Sequence, residues 1–277
     1  MTTTFTVNKL LKLLEAFSPI ARAESWDNVG LMVGDPRREV RGILLALDPT
    51  ADLLTECRAH QCNTIITHHP LIFHPLKNIR PDLHPGRLLT TAIHQEINII
   101  ACHTNLDVVP GGVSDVLARR LGLVNPQPLH PTMPETATDD EHSGTGFGRL
   151  GELAQPVPGE EFLAGLLQAL ELEAAPVAGP LPAMVRRVAV CGGSGSDLAV
   201  TARQAGADIY ITGEIKHAVA RWAEMEDFCL VDAGHYHSEN PIVQELAARL
   251  EQELAAAGQA IPVRASDRQR SPFRLYR

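Results

Sequence analysis

The sequence predicts an α/β protein made of two pseudo-repeated three-layer α/β halves, with a metal site in the cleft between them. Three observations predict it. Short apolar runs alternate with segments of helical periodicity, the pattern of a largely parallel sheet covered by helices. Residues 43–70 match residues 188–215 without a gap, at a shift of 188 − 43 = 145. Histidines and carboxylates follow the strand-like runs, and open α/β sheets bind ligands outside the carboxyl ends of their strands.

The elements follow in order. Val7, Leu10, Leu11, Leu14 and Phe17 share one helical face, so the chain opens on an amphipathic helix. A polar loop over residues 24–30 carries Trp26, Asp27 and Asn28, and reads either as a substrate-facing loop or as a lid anchored by a buried Trp26. A strand over 42–47, a helix over 51–60 and a strand over 63–67 lead to His68 and His69. A helix around 85–94 and a strand over 97–101 lead to His103.

The rhythm resumes in the second half with a strand over 187–191, a glycine-rich turn, a helix over 197–205, a strand over 208–212, a helix over 215–224 and a strand over 228–231. At the shift of 145, Asp52 matches Asp197, Leu53 matches Leu198, Arg58 matches Arg203, Ile66 matches Ile211 and Thr67 matches Thr212. Each copy is then followed by a helix, a strand and a histidine, His103 in the first and His235 in the second.

Two stretches break the pattern. Residues 124–146 hold Pro126, Pro128, Pro131 and Pro134 with the acidic group Asp139, Asp140 and Glu141; residues 174–182 form the second break. The expected division is a first half over 1–125 with His68, His69 and Asp107, a Pro-rich linker over 126–146, and a second half over 147–277 with His235 and Glu239.

Lys and Arg number 24 against 33 Asp and Glu, a net charge of 24 − 33 = −9, which argues against general nucleic-acid binding. A local basic pocket for a nucleotide phosphate stays open, and Lys77 reads as such a contact or as a solvated lysine. The five cysteines are odd in number and form no C-x-x-C pair. Cys102, Cys191 and Cys229 lie beside strand-like runs and read as small core residues, so the expected compartment is the reducing cytoplasm. The first residues show no basic-then-apolar leader, and no apolar run approaches the ~20 residues of a membrane span.

The chemistry concentrates in three stretches: His68 and His69; His103 and Asp107; His235, His237 and Glu239. Imidazole with carboxylate suits zinc, manganese, iron or cobalt, and so many ligands suit two ions sharing a bridging carboxylate. Glu239 and Asp107 also read as residues at helix starts, and His237 as a solvent-facing residue outside the ligand set. Glu214 follows a strand at the same sheet edge. The turn over residues 191–197 reads as a phosphate cradle at a helix N-terminus or as a plain tight turn.

Six stretches in order resemble the GTP cyclohydrolase 1 type 2 homologue family, also called NIF-three-like proteins. They are Trp26-Asp27-Asn28-Val29-Gly30-Leu31, Thr67-His68-His69-Pro70-Leu71-Ile72-Phe73, His103-Thr104-Asn105-Leu106-Asp107, Gly146-Phe147-Gly148-Arg149-Leu150-Gly151, Thr212-Gly213-Glu214, and Gly234-His235 with Ser238-Glu239. The resemblance spans Trp26 to Glu239. It implies a dinuclear metal centre with His68, His69, Asp107, His235 and Glu239 as ligands and Glu239 as the bridge, His103 as a further ligand or a residue behind the ligands, and a ring-shaped homohexamer. Some members carry a large insert between the halves, and this chain resembles the short form.

The expected activity is hydrolysis of a nucleotide by metal-activated water, as in a GTP cyclohydrolase that opens the guanine imidazole ring and releases formate. His103 and Glu214 are the expected catalytic residues. A metal-dependent phosphoesterase and a non-catalytic metal-binding ring, serving as scaffold or metal carrier, are the alternatives.

Overall fold

The structure is a computed structural model that describes residues 4–132, 144–274 and 276. Contacts divide the chain into one unit of Met1–Leu106 with Val243–Arg270, and a second of Asp107–Ile242 with Ser271–Arg277.

The first unit opens on helix α1 (Val7–Leu14) and strands β1 (Gly30–Val33) and β2 (Ile43–Ala46). Helix α2 (Ala51–Ala59), strand β3 (Thr64–Thr67), helix α3 (Gly86–His94), strand β4 (Asn98–Ala101) and the short helix α4 (Thr104–Asp107) follow. Thr50 caps α2 by accepting the Leu53 amide at 3.3 Å.

The second unit begins with helix α5 (Val113–Arg120), strands β5 (Leu123–Pro131) and β6 (Gly146–Pro158), and helix α6 (Gly159–Ala169). It continues with β7 (Val177–Ala178), β8 (Met184–Ser194), α7 (Ala199–Gln204), β9 (Ile209–Gly213), α8 (His217–Met225), β10 (Cys229–Asp232) and α9 (His235–Glu239). Helix α10 (Pro241–Ala256), with Pro241 at its first position where no N–H is needed, leads to strand β11 (Val263–Ala265).

The first sheet has the order β1-β4-β3-β2-β11, with β1 alone antiparallel to its neighbour. The residues of β2, β3 and β4 are all buried, as expected for parallel strands covered on both faces. On one face Leu44, Ile65 and Ile99 pack with Leu53 and Cys57 of α2 and Leu89 and Ala92 of α3.

The second sheet has the order β5-β6-β8-β9-β10-β7, parallel only through β8, β9 and β10. Alternate residues sort cleanly to its two faces. Val188, Val190, Ile209, Ile211 and Val231 pack with Leu117, Phe162 and Leu166. Ala189, Cys191, Tyr210 and Leu230 pack with Ala199 and Ala202 of α7 and Ala223 of α8. This unit is therefore three layers, and each fully buried aliphatic side chain contributes ~1.5–3 kcal/mol of transfer free energy.

The repeat holds at the level of register. Ile43 pairs with Thr64 and Leu45 with Ile66 in the first sheet; Val188 pairs with Ile209 and Val190 with Ile211 in the second, each position 145 further on. The next strands continue the match, Ala101 opposite Thr67 and Asp232 opposite Thr212. Three residues beyond each, Thr104 and His235 open the short helices α4 and α9.

Three expectations are corrected. Residues 126–131 are part of β5 rather than a linker; β5 lies at a sheet edge, the place within a sheet where prolines are tolerated. The rest of the expected linker lies largely outside the described residues. Packing also divides the chain after Leu106 instead of at residue 125, because α5 buries Leu117 and Ala118 against the second sheet while residues 243–270 return to the first unit. The second break, over residues 174–182, contains the short strand β7.

Candidate metal centre

In the first unit, parallel strands deliver three imidazoles to one place. His68 and His69 follow β3 directly, and His103 follows β4 two residues on. Their nearest ring nitrogens lie within 4.8 Å of one another. His68 is buried, with His69 and His103 partly so.

Each ring is held from behind. Nδ1 of His68 meets the Cys102 carbonyl at 2.8 Å, Nδ1 of His69 the Asp48 carboxylate at 2.7 Å, and Nδ1 of His103 the Asp27 carboxylate at 2.9 Å. An acceptor at Nδ1 fixes the proton there and leaves Nε2 as the basic nitrogen, the arrangement found behind metal-ligating histidines. Burial, then the neighbouring His68, push the His103 pKa below its ordinary 6.5 against the opposing pull of Asp27. His103 is therefore neutral at pH 7.

Asp27 ties this corner together. It also accepts the Thr104 amide at 3.1 Å and the Thr104 hydroxyl, while Asn28 donates to the Ile72 carbonyl at 2.6 Å. Burial alone would raise the Asp27 pKa, but hydrogen bonds from Thr104 and His103 override it and hold it below the usual value. Trp26 is 57 % exposed and meets Phe73 and His103 edge-on, so it is not a buried anchor. Lys77 is solvated.

In the second unit, His235 opens α9 and Glu239 closes it one turn later, so both point along one helix face. Nε2 of His235 lies 2.8 Å from Oε2 of Glu239, and its Nδ1 lies 3.1 Å from Oε1 of Glu214. Asp232 fixes this arrangement by accepting the amides of Glu214, Ile215 and Gly234 at 3.2, 2.9 and 2.9 Å. Glu214 has φ 55. Gln61, Glu96, Glu171 and Asp227 share such angles but each lies just past a helix end, where left-handed residues are ordinary. Glu214 directly follows a strand beside the site, and strain of this kind gathers at functional positions.

The glycine-rich turn makes room for Glu239 rather than for phosphate. Gly193 has φ 67, and a Cβ there would collide with the Glu239 carboxylate. The amides of Gly193 and Gly195 donate to Ser238 Oγ and Thr212 Oγ1, each at 3.0 Å. Cys191 adjoins the same corner. Its thiol is pushed up to about 12 by burial and then by Asp107, with Glu239 adding to the rise. Asp107 and Glu239 thus both act electrostatically on this thiol.

Two further sequence expectations meet the geometry here. His237 is partly buried, its Nδ1 3.1 Å from the Leu170 carbonyl, instead of solvent-facing. The stretch from Gly146 to Gly151 serves Arg149, which is 1 % exposed and clasped by Asp115 at 2.6 and 2.8 Å. The Arg149 guanidinium also donates to the carbonyls of Gly144, Gly146 and Gly148. Asp48, which meets His69, is a position that sequence reasoning passed over; it follows β2 at the same strand edge, so the strand-end rule applied there finds it.

The chemistry within each unit fits a borderline divalent ion: basic Nε2 atoms on fixed rings in the first, and an imidazole with a carboxylate one helical turn on in the second.

A family model described as Duf34/NIF3 (NGG1p interacting factor 3) matches residues 5–272. A Clostridium acetobutylicum protein named GTP cyclohydrolase 1 type 2 homolog is 33% identical over 270 residues, covering 97% of this chain and 98% of its own. A Streptomyces coelicolor protein of the same name is 35% identical over 249 residues, covering 89% and 86%. A Staphylococcus epidermidis relative aligns over 364 residues, more than the 277 here, so it carries residues that this chain lacks. Among solved structures, a Staphylococcus aureus hypothetical protein matches with a TM-score of 0.91 at 31% identity, over 99% of this chain and 100% of its own. A Bacillus cereus protein related to NIF3 matches with a TM-score of 0.92 at 26% identity, over 99% and 100%.

Proposed function

Because the chain belongs to the Duf34/NIF3 family, we propose that it binds two divalent ions through His68, His69, Asp107, His235 and Glu239, with Glu239 as the bridge, and hydrolyses a nucleotide. The observation that supports this reading is the set of four imidazoles, those of His68, His69, His103 and His235, each with Nδ1 on an acceptor. Residues that merely fill a core have no need of four such arrangements. The ions would be zinc, manganese, iron or cobalt. Once bound, they supply Lewis acidity and a water whose pKa falls toward ~7.

The chain's own groups do the remaining work. Cys102 and Asp48 hold the ligand rings of His68 and His69, and Glu214 holds His235. His103 is neutral and steadied by Asp27, so it can take a proton at Nε2 and release it again. Glu214 sets the direction of His235. On this reading the substrate is a nucleotide, the assembly a homohexameric ring and the compartment the cytoplasm. Among the described residues, no helix is long and apolar enough to cross a membrane.

Metal analysis of purified protein, followed by a nucleotide screen that reads formate and phosphate release, tests the proposal. His103→Ala should keep its metal and slow turnover by ~10²–10⁴-fold. Phosphate without formate would make the protein a phosphoesterase. Fully metallated wild type that turns over no nucleotide would leave the carrier or scaffold reading.

A further inference from the structure

The second unit contains a cleft of about 740 Å³, within the ~300–1,000 Å³ of small-molecule sites. His235 and Glu214 stand in its wall, so whatever fills the cleft lies against the proposed reactive centre. Tyr236, next to His235 on α9, and Phe273 of the C-terminal segment give it aromatic surface. Phe273 is 83 % exposed, so its ring face is open.

The charged lining selects among ligands. Asp232 is committed to three backbone amides and Glu214 to His235. Glu171 is exposed on the rim, and among the described lining residues the opposing cation is Arg274. A polyphosphate would meet like charge here. A planar ring bearing adjacent N–H donors would meet aromatic faces and acceptor-only carboxylates, which can receive two parallel hydrogen bonds.

Resting on the nucleotide reading, we infer that this cleft seats the base of the substrate, a planar heterocycle with adjacent N–H donors, and that the phosphates lie outside it. Stacking on Phe273 and Tyr236 holds the ring, and Glu171 reads its donor edge.

Calorimetric titration of the metal-loaded full chain with guanosine, inosine and inorganic tripolyphosphate tests this. Inosine has the same ring system without the exocyclic amine, and should bind about tenfold more weakly than guanosine. Phe273→Ala should weaken guanosine by at least ~fivefold. Glu171→Gln should weaken it about tenfold without weakening tripolyphosphate. These positions are exposed, so melting should match wild type. Guanosine that fails to bind wild type, guanosine affinity unchanged in both variants, or tripolyphosphate that loses affinity together with guanosine when Glu171 is neutralised overturns the inference. Guanosine binding that keeps its dependence on these residues while no nucleotide is turned over removes the hydrolase and leaves the cleft. Turnover of GTP with KM unchanged in both variants does the reverse.

Discussion

Glu214 meets Nδ1 of His235 at 3.1 Å while Nε2 of the same ring meets Glu239 at 2.8 Å. One imidazole is thus fixed at both nitrogens by carboxylates from two different elements. Glu214 occupies in the second copy the position His69 holds in the first, since 69 + 145 = 214. Where the first copy carries an imidazole after its strand, the second therefore carries a carboxylate that meets one.

Glu214→Gln replaces a charged acceptor with a neutral one. Metal affinity, measured by competition with a chelator, should fall by ~10–100-fold with the fold intact. Unchanged affinity would mean that His235 needs no support from behind.

Gly193→Ala should disturb Glu239 and strain the backbone together. A side chain at φ 67 costs ~1–3 kcal/mol, and the added Cβ displaces the Glu239 carboxylate. The expected result is a lower melting temperature and lost metal. A variant that melts as wild type and keeps its metal would contradict the close approach.

Arg149→Met tests the structural reading of the glycine-rich stretch. It leaves Asp115 and several carbonyls facing no cation, and breaking a buried pair from one side costs ~3–5 kcal/mol. Denaturant unfolding should show that loss. A stability loss under ~1 kcal/mol would show that Arg149 is dispensable to the fold.

The cysteines should be inert. Burial pushes the thiols of Cys57, Cys102 and Cys191 up to about 12 and that of Cys229 to about 11, and all five are free and buried. A group with so raised a pKa holds its proton at pH 8, so the reactive thiolate is scarce. Iodoacetamide at pH 8 should label none in the native protein and all in denaturant. Rapid native labelling of Cys191 would reopen thiol chemistry at the site.

The parallel strands were readable because covered strands have apolar cores; β2, β3 and β4 each centre on aliphatic pairs, and the histidines follow β3 and β4. Strands β5 and β6 were hidden because prolines and glycines oppose the local signal and cross-strand pairing overrides it, from Leu123 with Leu153 to Pro131 with Gly146. Asp48 and Asp27 act through histidines 21 and 76 residues away. No local pattern announces such a partner, although Asp48 does share the strand edge. The role of Gly193 likewise depends on α9, some 40 residues on, so the turn resembled a phosphate loop until Glu239 was in place.

The number of divalent ions retained per chain tests the central claim most directly. After metal loading and exhaustive dialysis, elemental analysis should find about two ions in wild type. Glu239→Ala should retain fewer than His103→Ala, since a bridge serves both ions. Wild type that retains none, or equal metal in the two variants, would contradict the dinuclear centre or the bridging assignment respectively.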